Sequence, residues 1–374
     1  MAREKHLTAV HIGNFKRFAD FQVENLGQFN LVVGDNNTGK TSFLEALVVD
    51  EEKDGKTNIN NLKKLLSIRQ SFSVEDQELI EEVYSNRGKK GIMLGFQYGG
   101  DFLIVSLGGE HFVNNNPFRD VIEVKASAID SLLGDHNYKG IYLMVINESF
   151  HTTYNLGKKV KIFPESNSVY EAKITSLSAK QQTHLNFIHF GAGYDSELVT
   201  IYKNEIDRRA SRRTKLQENL KLFIPNVVDI RLQAETIIIY EDGEDLGTPL
   251  YTYGEGAVKF FRILCYFATV EDKRLMIDEI DTGIHHTKFI QFWTTLMQAA
   301  TEYDVQLFAT THNEECLEYF QAALEQEELA AQRELARVIS LKLRKEQKIS
   351  AKVYDFKSLQ LAEDLGHEIR GGGL

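Results

Sequence analysis

The chain of 374 residues has two cysteines, four prolines and one tryptophan. Cys265 and Cys316 both stand in apolar helical contexts and do not read as a disulfide or metal framework. They read as buried thiols in a reducing cytosol. With four prolines and no Pro/Ser/Gly-rich linker, one compact unit with two lobes is expected over 1–374. No apolar run approaches the ~20 residues that span a bilayer, and the start, Met1 to His6, lacks the apolar core of a secretory signal. A cytoplasmic protein without a membrane partner is expected. Basic charge is also short, 43 Lys and Arg against 54 Asp and Glu, a net charge of −11. This weighs against a surface built all over to grip nucleic acid. One dense basic stretch, from Arg208 to Lys215, ordinarily reads as a solvated helix face, with DNA contact left open there. No repeat and no sustained heptad pattern is present.

What is present is a complete phosphate-binding loop, Gly34-Asp35-Asn36-Asn37-Thr38-Gly39-Lys40-Thr41. An apolar strand pattern over 29–33 leads in, and a helical one from Thr41 through Ser42 to Leu47 leads out. Backbone N–H groups of such a loop wrap a polyphosphate, and the helix points its positive end at the same charge. Lys40 is expected to reach the β- and γ-phosphates, and Thr41 to ligate Mg²⁺.

Residues 1–90 read as the P-loop part of a nucleotide lobe, with helical patterns near 59–69 and 75–86. The stretch 91–195 is richer in short strand-like runs, the signature of an antiparallel sheet. A charged helical insertion with a broken apolar stripe follows at 196–225. From 226 to 374 strands at 227–240 give way to alternating helix and strand, the rhythm of a parallel sheet. The expected class is α/β.

Two apolar strands in this last part end in polar groups. Leu275-Met276-Ile277 runs into Asp278 and Glu279. Beside a P-loop, Asp278 can hold Mg²⁺ directly or through water, and Glu279 is a candidate general base for the attacking water. Phe308 to Thr311 ends in His312, which can touch the γ-phosphate or orient the water. Tyr253-Gly254-Glu255-Gly256 opens a helix, either as a plain glycine cap or as a second anion site. Two adjacent histidines, His285 and His286, have no partner cluster and read as structural.

Lys40 and Asp278 are 238 residues apart, and Gly256 stands 22 residues before Asp278. This order of P-loop, long insertion, signature, acid pair and histidine resembles ABC-, SMC- and RecF-type ATPase heads; AAA+ and RecA-like folds place the two Walker motifs closer. Ile277 to His285, Tyr253 to Gly256, Val305 to Cys316, Ile12 to Phe18 and Leu361 to Gly371 together resemble the OLD-like AAA ATPases over nearly the whole chain. The resemblance implies ATP and Mg²⁺ as ligands, and a homo-oligomer, dimer or higher. ATP would lie between the P-loop of one subunit (Asn36 to Ser42) and Gly254 and Gly256 of the next. Arg17 would lie near the nucleotide, and Asp281 to Gly283 would couple paired sites. Departures from the pattern are Glu255, where a transporter head has glycine, Asp281 for Glu, and Asn313 for Ser. No glutamine stands out for the Q-loop; Gln70 is a candidate.

OLD-family nucleases carry a TOPRIM domain after the ATPase. Here 62 residues follow His312, without an Asp-x-Asp. The chain is therefore expected not to cut nucleic acid itself. It resembles stand-alone ATPases of anti-phage systems, PARIS first and Septu second, which control a separate TOPRIM or HNH nuclease and answer to a phage-encoded trigger. The alternatives are a RecF/SMC-type repair ATPase on duplex DNA and an ABC transporter subunit.

Overall fold

The computed structural model describes residues 6–48, 61, 65, 92–98, 101–107, 143–146, 151–155, 158–163, 168–173, 185–270, 273–344 and 348–369. Gln70, the helical pattern at 75–86 and the strand-like run at 121–124 lie outside them. The chain forms two compact units.

The first unit comprises Met1–Asn25, Glu45–Leu185 and Leu343–Ala351. Its centre is an antiparallel sheet of β1 (Ala9–Phe15), β2 (Phe18–Glu24), β4 (Ile92–Tyr98), β5 (Asp101–Leu107), β6 (Leu143–Ile146), β7 (His151–Asn155), β8 (Lys158–Phe163) and β9 (Ser168–Lys173). The strand order is β2-β1-β4-β5-β6-β7-β8-β9. Phe15 pairs with Phe18 across a two-residue turn, in which Lys16 takes φ +49°. Such tight hairpins need a left-handed residue. Lys16 also holds the fully buried carboxylate of Glu45 in an ion pair.

The second unit comprises Leu26–Leu44, Asn186–Lys342 and Lys352–Leu374. Parallel strands β10 (Phe187–Ile188), β14 (Arg274–Ile277), β15 (Gln306–Thr310), β3 (Phe29–Gly34) and β16 (Ala336–Leu343) run in that spatial order, with β17 (Ile349–Tyr354) beyond. β3, β14 and β15 are buried at every residue, as strands covered on both faces must be. Asn30 sets the start of β3: its side-chain amide donates to the Gly27 carbonyl at 2.7 Å and accepts from the Gly27 N–H at 2.9 Å.

α1 (Lys40–Leu47) leaves β3, and Phe43 packs edge-on against Phe308 of β15 at 6.3 Å. The 196–222 region folds as α2 (Ser196–Ile201), a π-helical turn (Tyr202–Asp207) and α3 (Ala210–Leu220). The wide turn explains the broken stripe, because Ile201 and Ile206 are five apart yet both buried. A small antiparallel sheet follows, β11 (Val227–Gln233), β12 (Thr236–Glu241) and β13 (Thr248–Pro249). Next come α4 (Glu255–Phe267), α5 (Phe289–Glu302), α6 (Glu314–Leu324), α7 (Ala330–Glu334) and α8 (Phe356–Asp364). Trp293 of α5 and Phe320 of α6 meet edge-on at 4.8 Å inside the apolar core. The sequence reading did not include β17 or α8.

Candidate functional site

Three parallel strands, β3, β14 and β15, end side by side, and their carboxyl ends carry the polar residues. Ligands of open α/β sheets bind outside such ends. β3 runs into Gly34 at φ +148°, where a Cβ would stand 2.5 Å from the Leu341 carbonyl oxygen and 2.8 Å from Thr38 Oγ1. Only glycine fits there. Asn37 at φ +66° and Gly39 at φ +93° turn the loop. Thr38, itself buried, donates its hydroxyl to the Asp35 carbonyl at 2.8 Å, while Asn36 and Asn37 stand exposed. Lys40 folds over the loop and donates to the carbonyls of Gly34 at 2.6 Å and Asp35 at 3.0 Å. Ser42 is half-buried in the first turn of α1.

Asp278 is the meeting point. Its Oδ1 accepts from Thr41 Oγ1 at 3.1 Å and from Thr310 Oγ1 at 2.7 Å, and the residue is 4% exposed. A hydroxyl and a carboxylate converging in this way suit Mg²⁺, a hard cation that takes one or two protein oxygens and fills the rest of its shell with water and phosphate. Thr41 and Asp278 would hold it. Among the described residues no group of three or more His, Cys, Asp or Glu is arranged to hold a metal by itself.

Glu279 follows at φ +47°, a left-handed conformation that costs a residue with a side chain about 1–2 kcal/mol. Its N–H donates to Thr310 Oγ1 at 2.9 Å, so Thr310 fixes both acids. The half-exposed His312 brings Nδ1 to 3.8 Å from Glu279 Oε1. Asp281 accepts from Thr311 Oγ1 at 2.7 Å, tying the turn Asp281–Gly283 to the end of β15.

The signature residues sit against that turn. Gly256 is buried, and a Cβ on it would come within 2.2 Å of the Gly283 carbonyl oxygen. Gly254 takes φ +87° and ψ 163°, faces open space, and caps α4 without a side chain. Glu255 is exposed. Arg17 belongs to the first unit and is exposed in the β1–β2 turn.

Three residues escaped the sequence reading. Thr310 is one. Lys259, 4% exposed, donates from Nζ to the Glu279 carbonyl; burial pulls its ammonium down to about 8 against the raising influence of Asp281, Glu279 and Asp278. With Arg262 it is one of two cations in the otherwise apolar run 256–267, and that contrast was a usable signal. His189 is the third. Ile188 of β10 is level with Ile277, and its carbonyl accepts from the Asp278 N–H at 2.8 Å, so His189 follows at the level of Asp278. Burial lowers its pKa, with Arg262 adding to the effect.

An "AAA ATPase domain" family model matches residues 6–189. A second, "AAA domain, putative AbiEii toxin, Type IV TA system", matches residues 114–318, more than half the chain. The chain belongs to this AAA family. The two matches together run from the P-loop through the acid pair to His312. Within this AAA ATPase the parallel P-loop sheet, the separate antiparallel sheet and the helical segment over 196–220 are of the α/β class. A protein of Helicobacter pylori called "ATP/GTP phosphatase" is 22% identical over 364 residues, covering 88% of this chain and 91% of its own. The SMC head domain of Thermotoga maritima has a TM-score of 0.45 at 13% identity, covering 93% of this chain and 99% of its own. An SMC head bound to the C-terminal winged-helix domain of ScpA has a TM-score of 0.48 at 11% identity, over 96% of this chain and 99% of its own. Among the described residues no helix is long and apolar enough to cross a membrane.

Proposed function

We propose that this AAA ATPase binds and slowly hydrolyses ATP as a cytoplasmic homo-oligomer, a scaffold and sensor of prokaryotic anti-phage defence. Its output is the sequestration or activation of a separate nuclease of TOPRIM or HNH type. The observation that carries the oligomer is Gly254, an open glycine at the head of α4 whose neighbour Gly256 is locked to the coupling turn. A nucleotide held on a second subunit's P-loop would stand in front of it. ATP would then favour the closed assembly, and hydrolysis or a phage trigger would change its affinity for the nuclease. Hydrolysis is supported by Glu279 and His312 beside Asp278 and by the name of the Helicobacter relative. The defence role is supported by the resemblance to PARIS-type ATPases and by a matching family described as part of a toxin–antitoxin system.

Within one subunit the loop N–H groups and Lys40 would bind the phosphates, and Thr41 and Asp278 would hold Mg²⁺, which when bound would neutralise charge on the phosphates. Glu279 would take the proton of the attacking water, with His312 orienting it. The rival reading, a repair ATPase gripping duplex DNA through Arg208 to Lys215, loses weight because Arg209 and Arg212 both pair with Glu205 at 2.9 and 3.1 Å.

The test is sedimentation of the purified chain with Mg²⁺ and ATP or a non-hydrolysable analogue, with and without the product of the neighbouring open reading frame, which is expected to be a TOPRIM or HNH nuclease. A larger nucleotide-dependent species that binds or releases the nuclease is expected. A chain that stays monomeric with ATP and ignores the nuclease overturns the proposal.

A further inference from the structure

We infer that Lys259 is a positioning residue through which the head of α4 sets the backbone of Glu279, so that a nucleotide engaged at Gly254 is felt at the general base of the same chain. This rests on the ATPase reading above.

The warrant is geometric. Gly256 and Lys259 are three residues apart on α4 and therefore share a face. That face meets the turn 279–283 twice. Gly256 abuts the Gly283 carbonyl, and Lys259 Nζ donates to the Glu279 carbonyl. Helix head and turn are thus joined at both ends of the turn. Glu279 needs such a hold. It sits at φ +47°, with its N–H on Thr310 and its carbonyl shared between Lys259 and the Thr282 N–H at 3.1 Å. Relaxation of that dihedral would swing the carboxylate away from His312 and from the place of the attacking water.

Burial of the ammonium also asks for a reason. A desolvated lysine costs several kcal/mol unless it is well paired, and an aliphatic side chain could occupy the same space without that penalty. Lys259 lies in the field of Asp281, Glu279 and Asp278. It is therefore held where the negative charge of the coupling turn and the acid pair is densest. A displacement of the α4 head on meeting a partner's nucleotide would carry Nζ, and the Glu279 carbonyl with it. Misplacement of a catalytic group by about 1 Å can cost about 100-fold in rate.

The experiment compares the full-length wild type with Lys259→Met and Lys259→Arg, reading kcat and KM for ATP hydrolysis, nucleotide-driven assembly by sedimentation, and melting temperature. The Met variant is expected to assemble with ATP as the wild type does and to keep its KM within about threefold, while kcat falls about 100-fold. The Arg variant, which retains a buried donor, is expected to recover most of kcat. If the Met variant does not fold, Lys259→Leu, which also lacks a donor, is read in the same way. A wild type that does not hydrolyse ATP overturns the ATPase reading itself. A hydrolysing wild type matched within about twofold by the Met variant overturns only the role of Lys259. Joint loss of assembly, turnover and melting temperature in both variants also overturns it, because that is the mark of a structural lysine.

Discussion

Two helices of the second unit open on glycine, and they differ in what surrounds the opening. At the head of α1 the chain supplies its own chemistry: Lys40 lies over the loop carbonyls, and Thr41 reaches Asp278. At the head of α4 stands bare backbone. Gly254 faces open space, and the one charge there, Glu255, is exposed. Both heads offer N–H groups and a positive helix end, so both can receive an anion. Only the first has a hydroxyl, an ammonium and two acids close by. The second is fastened from behind, through Gly256 and Lys259, to the turn that carries those acids. Under the proposed function, the same local geometry would serve catalysis in one place and the reporting of a neighbour's nucleotide in the other.

The contrast breaks most sharply at Glu279. Replacement by Gln keeps size and hydrogen bonding and removes the base. Turnover should fall about 1,000-fold, within the range of lost general base catalysis, while ATP binding persists and the closed assembly accumulates. Single-turnover kinetics with sedimentation measure both. Normal turnover would remove Glu279 from the mechanism. Next in size is Lys40→Ala, which takes the ammonium from the α1 head. ATP affinity should drop about 100-fold, or about 2.7 kcal/mol, by titration with a fluorescent nucleotide. A similar loss from Glu255→Ala would contradict the division of labour, since an exposed carboxylate has no phosphate to hold.

The glycines sharpen it further. Gly256→Ala forces a methyl to within 2.2 Å of the Gly283 oxygen and should destabilise the fold by about 2 kcal/mol. Gly254→Ala meets no atom within 4 Å, and its cost comes from φ +87° alone, about 1 kcal/mol. Denaturation midpoints rank the two. The reverse ranking would mean that the α4 head does not rest on the coupling turn.

The site was legible to the degree that its chemistry is contiguous in the chain. Gly34 to Thr41, Asp278 with Glu279, and Thr311 with His312 each stand at a strand end, where an apolar run stops at polar residues. What joins them was not legible. Thr310 bridges to Asp278 across 32 residues and Lys259 to Glu279 across 20, contacts fixed by strand order and helix docking. The placing of β15 between β3 and β14 likewise comes from the crossovers. His189 gains meaning only from the register of β10 with β14, a pairing too short to leave a sequence pattern. β17 escaped because Ile349–Tyr354 is buried only at its two ends, without the alternation of a half-covered strand. The basic stretch at 208–215 was read as a solvated face. Two of its five cations, Arg209 and Arg212, share Glu205 of the π-helical turn, and Lys215 pairs with Glu302.

A third helix head gives the smallest and most discriminating test. α6 starts just beyond His312, and Asn313 caps it in the ordinary way, its Oδ1 accepting from the Glu315 N–H at 3.0 Å. This head is closed by the protein's own side chain, so it has no N–H to spare for a ligand at that position. Asn313→Ala should cost about 1 kcal/mol of stability, as loss of an N-cap does, and Asn313→Asp should restore it. Turnover should change by less than about threefold, because His312 is held from the other side. Thr311 anchors the turn by donating to Asp281 and accepting from the Asn313 N–H at 3.0 Å. A fall in turnover as deep as that of Glu279→Gln would instead make the cap part of the catalytic arrangement, and the three helix heads would no longer divide into one that binds, one that reports and one that only supports.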